Sequence, residues 1–147
     1  MFVRDFIQVS RPFEDVAPRL VRDAAWLNPV VQDALEDAMR THETEPPAAP
    51  IGAELASPAV RCTRGPVRIR TDTLVVLLRW EADPPTGPIP SLEGDLEVAP
   101  LGESRSQLSL SAQCAPFGRT DPASQRVVET GMRAFLKRLA LVLEDSA

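Results

Sequence analysis

The chain has 147 residues, of which 44% are hydrophobic and 25% charged, with a net charge of −5. A length of this order fits one domain, here expected over residues 1–147, that buries roughly 68–70% of the surface of its unfolded chain. The negative balance argues against general attraction to nucleic-acid backbones or anionic lipid surfaces, and the longest aliphatic runs, Leu74 to Leu78 and Leu139 to Val142, are too short to insert in a bilayer.

The first ten residues carry charges inside their apolar stretch and lack a basic leader, so no signal peptide is expected and a cytoplasmic location is the default. Residues 2–9 read as a strand ended by Ser10. From Arg11 to Leu27, Phe13, Val16, Leu20, Val21 and Ala24 recur at helical spacing, with Pro18 either in a first turn or kinking the segment. Asn28-Pro29 reads as a cap followed by proline at the first helical position. Val31, Ala34, Leu35, Ala38 and Met39 then form one apolar stripe opposite Asp33, Glu36 and Asp37.

Thr41 to Pro50 is proline-rich and acidic and reads as an exposed connector. Short alternating pieces follow around 51–55, 59–63, 67–71 and 73–81, each bounded by Pro, Gly or a polar pair, as in a meander. Asp83 to Pro90 is a rigid loop. Beyond it Leu92, Gly94, Leu96 and Val98 share one strand face while Glu93, Asp95 and Glu97 share the other. Leu108, Leu110, Ala112 and Cys114 then alternate with Gln107, Ser109, Ser111 and Gln113, completing an antiparallel pair with one wet face. Asp121-Pro122 opens a last helix to about Glu144, roughly 34 Å long at 1.5 Å per residue. Val128, Met132, Phe135, Leu136, Leu139 and Leu143 line its apolar side.

Catalytic side chains are scarce. The chain has no tyrosine, and its single histidine, His42, lies beside Glu43 and Glu45 in the connector, where a solvated loop residue is expected. Neither a Ser-His-Asp or Cys-His site nor an imidazole-rich metal centre fits, and no cofactor is implied. Cys62 and Cys114 are too few for a disulfide framework and read as buried thiols. Glu93, Asp95 and Glu97 stand on one wet strand face, so they read as solvated charges. The arginines at 61, 64, 68 and 70 read as a solvated strand face paired with carboxylates, the alternative being an anion site. Of Arg79 and Trp80, which point to opposite faces, the preferred arrangement sends Trp80 inward with Leu78 and Val76 and leaves Arg79 to pair with surface carboxylates. The reverse would bury an arginine as an anion hook at a cost of several kcal/mol unless paired.

The order of these elements resembles the helix-grip fold of the START-like (SRPBCC) superfamily, with its polyketide cyclase/dehydrase-like, lipid-transfer and plant-allergen-like members. The resemblance runs over most of the chain. It is strongest at Phe2 to Leu20 and from Leu78-Arg79-Trp80-Glu81 through Pro90-Ser-Leu-Glu-Gly-Asp-Leu-Glu-Val-Ala-Pro-Leu-Gly to the helix containing Phe135-Leu136. Ser106 to Ala115 with Pro116-Phe117-Gly118 looks like the last strand and turn before the gripping helix. The irregular stretch from Thr41 to Gly65 departs from that pattern, and no glycine-rich loop of the allergen type is present. The resemblance implies an α+β domain with a curved antiparallel sheet of about six strands around a long C-terminal helix, two short helices after the first strand, and a cavity that in many relatives holds an apolar small molecule.

The expected function is binding of a small apolar or amphipathic, lipid-like molecule between sheet and helix, without catalysis or metal. Trp26, at the mouth, and Trp80, Leu96, Leu110, Met132, Phe135 and Arg79 are the candidate ligand contacts; for Trp26, Met132 and Phe135 simple packing is the competing reading. Two alternatives stay open: a cyclase or dehydrase using Asp72, Arg79 or a water, and an interaction module with a fully packed core.

Overall fold

A computed structural model describes residues 2–22, 26–42, 59–83, 91–115 and 122–145. The elements are β1 (Phe2–Val9), α1 (Phe13–Val21), α2 (Leu27–His42), β2 (Ala59–Arg70), β3 (Thr73–Asp83), β4 (Ser91–Leu101), β5 (Arg105–Ala115) and α3 (Pro122–Glu144). The strands form one antiparallel sheet in the order β1-β5-β4-β3-β2, so the first strand pairs with the last and the helices cover a single face. This is the helix-grip arrangement, with five strands among the described residues where about six were expected. No described helix is long and apolar enough to cross a membrane.

The difference in strand number has two sources. The expected piece at 51–55 lies outside the described residues, as do the Thr41 to Pro50 connector beyond His42 and the loop at 84–90. The pieces at 59–63 and 67–71 are one strand, β2, interrupted by a bulge: Arg64 faces Leu78 and Val67 faces Val76, so Gly65 and Pro66 together oppose Leu77. Proline brings no N–H to a ladder, and an edge strand with a bulge is where a sheet accepts it. The bulge also resets the side-chain alternation. Arg64 therefore stands on the helix side of the sheet, opposite Leu78, whereas Arg61, Arg68 and Arg70 face outward. The four arginines do not share a face, and the single-patch expectation is corrected on this point.

Register carries the core across the sheet in rows. One row runs Cys114, Leu92, Trp80, Cys62; the next Val3, Ala112, Gly94, Leu78, Arg64; the third Asp5, Leu110, Leu96, Val76, Val67; the fourth Ile7, Leu108, Val98, Leu74, Ile69. Apart from Asp5 and Arg64 these rows are apolar, and the alternate positions Glu93, Asp95, Glu97, Arg79 and Gln113 face away, as a pleat with one dry face requires. Gly94 is required by close approach, because a Cβ there would fall within 2.5 Å of Ala112 Cβ and upon the Ser111 carbonyl.

The dry face is closed by α3, whose stripe of Val128, Met132, Phe135, Leu136, Leu139 and Leu143 is buried throughout. Val31, Ala34, Leu35 and Ala38 of α2 are buried as well, and Gly131 lets the two helices approach: a Cβ at 131 would lie 2.8 Å from Leu35 Cδ2. Arg138 bridges the helices through Asp37 and, at 4.0 Å, Asp33. The helix expected from Arg11 to Leu27 is shorter, ending at Val21. Pro18 stands inside it, and the Arg22 N–H donates to the Pro18 carbonyl at 3.1 Å in its last turn. Asn28 does not mark the start of α2, which begins one residue earlier; its side-chain oxygen instead accepts the Cys62 N–H, tying the helix to β2.

Arginines close one end of the grip. Arg11 donates to the Glu144 carbonyl from Nε at 3.2 Å and Nη2 at 3.0 Å, Arg19 donates to the Val142 carbonyl at 2.8 Å, and the Ser10 N–H donates to Glu144 Oε1 at 3.0 Å. The last carbonyls of α3, which lack helical partners, thereby receive cationic donors at the negative end of the helix dipole. Arg64 serves α1 in the same way, donating to the Leu20 carbonyl at 3.2 Å and to that of Val21.

Candidate ligand-binding interior

Five of the seven candidate contacts meet in one place. Trp80 on β3, Leu96 on β4 and Leu110 on β5 project from the dry face toward Met132 and Phe135 on α3, and each is 0–2% exposed. The parity of β3 decides the Trp80 orientation: Leu74, Val76, Leu78 and Trp80 alternate inward, so Arg79 must face out. The Trp80 and Phe135 rings meet edge to face, with centroids 5.6 Å apart and planes at 82°. That geometry sets the positive edge of one ring against the negative face of the other. Trp80 stands three residues before the end of β3, at the end of the sheet where β2 and β4 begin, and opposite the end closed by arginines.

The other two candidates lie elsewhere. Arg79 is on the outer face, where Nε and Nη2 donate to Glu93 Oε2 at 3.2 and 2.8 Å, and this carboxylate raises the guanidinium pKa above its usual value. Both partners are about half exposed, so the pair adds little to stability. Trp26 sits at the α1–α2 junction, partly buried, with the Arg19 guanidinium 5.4 Å from its ring centroid. Arg19 also donates to the α3 carbonyl of Val142, and Asn28, two residues after Trp26, is hydrogen-bonded to Cys62 beside Trp80.

Two further polar groups face the helix side from β2. Cys62 is buried, and loss of solvation pushes its thiol pKa from 9.0 up to about 11, so the thiolate needed for nucleophilic work is suppressed near neutrality. Arg64 is held by the α1 carbonyls. The side chain of Cys114 lies outside the described residues. Asp72, offered as a cyclase residue, is exposed on the β2–β3 turn.

An open groove of about 580 Å³ lies outside the interior, between α1 and the turn end of β2–β4, with Phe13, Ala17, Pro18, Ile69, Leu74 and Pro100 among its walls. Sequence reading did not find it. Ile69, 77% exposed, was its one local signal, because an isoleucine on the core parity of a strand but beyond the reach of the covering helix leaves apolar surface in the open.

No family model and no curated protein matches the chain. Among solved structures, a conserved protein from Geobacillus kaustophilus is similar over 97% of this chain and 95% of that one, at 14% identity and a TM-score of 0.54. The likeness is one of fold. Zhui aromatase/cyclase from Streptomyces sp. R1128 is similar at 17% identity over 98% of this chain and 93% of that one, with a TM-score of 0.41. DynU16, a putative protein in the dynemicin biosynthetic locus, is similar at 16% identity and a TM-score of 0.42; this chain is covered to 98% and spans 47% of that protein.

Proposed function

We propose that this protein binds a small apolar or amphipathic molecule between its sheet and α3 and performs no covalent chemistry on it. The observation that carries the reading is the composition of the helix-facing surface: Trp80, Leu96, Leu110, Met132 and Phe135 form a continuous apolar wall, whose ionisable neighbours are a suppressed thiol, an arginine already engaged by carbonyls, and Asp5 beside Leu110, a carboxylate occupied by the Phe6 N–H and Arg133. Such a wall recognises shape and apolar area and supplies neither acid nor base. The molecule enters at the Trp80 end, since the opposite end is held shut by Arg11 and Arg19 on the α3 carbonyls. Binding requires the Trp80 and Phe135 rings to part, so their contact is the gate as well as the floor.

The cyclase alternative loses Arg79, which is on the outer face, and keeps a water and Asp72, which stands on an exposed turn at the rim of the groove beside α1. The packed interaction module keeps one supporting observation, the mutual burial of Trp80 and Phe135. Native mass spectrometry of gently purified protein, followed by denaturing extraction, tests the two readings. A co-purifying apolar compound supports binding. A clean apo mass combined with no change in Trp80 emission, in a Trp26→Phe background titrated with laurate and 2-naphthol, overturns it in favour of the packed module.

A further inference from the structure

β1 ends the sheet, and among the described residues its second edge has no strand beside it. A free edge of eight residues presents a row of unpaired N–H and C=O groups, which proteins ordinarily blunt with proline, a bulge or several charges. β1 has neither proline nor bulge, and its register with β5 is continuous from Phe2 to Val9. Its outward side chains are Phe2, Arg4, Phe6 and Gln8, and the two phenylalanines are 59% and 63% exposed. Beside the edge, a cleft of about 570 Å³ separates β1 from the flank of α3.

We propose that the free edge of β1 is a strand-addition site for an extended, acidic segment of another protein, and that Asp5 latches it. The backbone edge dictates an extended occupant, since only a strand satisfies alternating donors and acceptors. Phe2 and Phe6, four residues apart on one face, call for two apolar side chains on the incoming strand, and Arg4 between them calls for a carboxylate. The cleft repeats the charge preference: Arg4, Arg133 and Lys137 line it against Asp5 and Glu129, a local cationic excess on a chain of net charge −5.

The latch is Asp5. Its Oδ1 accepts the Phe6 N–H at 2.8 Å, and its Oδ2 lies 3.9 Å from Arg133 on α3. The Phe6 N–H thus points to the free edge rather than toward β5, and the alternation of an antiparallel ladder sends the backbone groups of Arg4 and Gln8 the same way. An incoming strand must displace the Asp5 carboxylate from that donor.

A second copy of the chain fits less well. Symmetric pairing of two β1 strands centred on Arg4 sets the two Arg4 side chains opposite each other, and centring on Asp5 does the same to its carboxylates. Centring on Phe6 pairs Val3 with Val9 and leaves Phe2 without a partner in the other strand.

A phage-displayed library of random decapeptides, selected against the intact protein and mapped by amide hydrogen exchange, tests the proposal. The expected peptides carry Asp or Glu flanked two residues away on each side by apolar residues, and they slow exchange at Arg4, Phe6 and Gln8. Asp5→Ala should tighten binding about threefold and Arg4→Glu weaken it about fivefold, with Lys at the central peptide position restoring it. No enrichment, protection elsewhere, or indifference to both substitutions overturns the proposal. Self-association that is abolished by Phe6→Ser also overturns it, and assigns the edge to a second copy instead. Arg4 is exposed, so its substitution leaves the fold intact.

Discussion

Replacing Phe135 by alanine probes the interior directly. The ring is fully buried and stands edge to face with Trp80, 5.6 Å between centroids, while Met132, Leu136 and Leu139 on the same helix are equally buried. Truncation removes the transfer free energy of the ring and leaves a void that close-packed neighbours fill only partly, so the loss is about 3–5 kcal/mol. Of that, the aromatic pair itself accounts for about 0.5–1.5 kcal/mol. Against a typical domain stability of about 5–15 kcal/mol, the variant remains folded but marginal. Urea unfolding followed by far-ultraviolet circular dichroism gives the value; with a slope of about 2 kcal/mol per molar, the midpoint falls by about 2 M. The variant should also gain affinity for a compact apolar guest such as benzene, because a void lined only by apolar side chains stays dry. A loss below about 1.5 kcal/mol would refute the packing argument. It would mean that the space around Phe135 yields at little cost in the native protein, as a ligand gate must, and would shift weight from the packed module to the binding reading.

Three other outcomes follow from local geometry. Gly94→Ala forces β4 and β5 apart where a Cβ meets the Ser111 carbonyl and Ala112, and should cost about 1–3 kcal/mol or more in chemical unfolding; a neutral result would show that the strands separate easily there. Thr71 holds φ at 48° in the β2–β3 turn, which a β-branched residue adopts only under strain, so Thr71→Asn should gain about 0.5–1 kcal/mol and raise Tm by about 1–3 °C, and a lower Tm would contradict this. For Cys62 the thiol pKa of about 11 in the fold exceeds the 9.0 of the free group, so below pH 9 both states hold the proton and the contribution is complete. Above pH 9 the unfolded chain loses its proton first, and stability falls by about 2–3 kcal/mol between pH 9 and 11, a loss that Cys62→Ala should remove from the pH profile of the unfolding free energy.

What the sequence made legible was set by periodicity, and what it hid was set by distance along the chain. The dry faces of β4 and β5 are written in strict alternation, because a pleat turns each successive side chain over, and Trp80 inherits its inward direction from Leu78 and Val76 by the same rule. The stripe of α3 is equally local. Gly65-Pro66 defeated the reading of β2 because a bulge and a strand boundary look alike in one dimension; only the pairing with Leu77 distinguishes them, and it moves Arg64 from the solvent face to the helix side. The arginine contacts were illegible for a different reason. Arg11 and Arg19 hold carbonyls 133 and 123 residues away, and Arg64 reaches back 44. No local pattern encodes such a bond, yet the physical demand for it is general: a helix C-terminus packed against a sheet leaves carbonyls that want cationic donors. The site divides along the same line. Of its five interior residues, Trp80, Leu96 and Leu110 follow from strand parity and Met132 and Phe135 from the helical stripe, whereas the place of Trp26 depends on how α1 and α2 are joined, which the sequence does not state. The free space between sheet and helix is not a pattern at all but a difference of summed volumes, so the Phe135 measurement answers what no reading of alternation can.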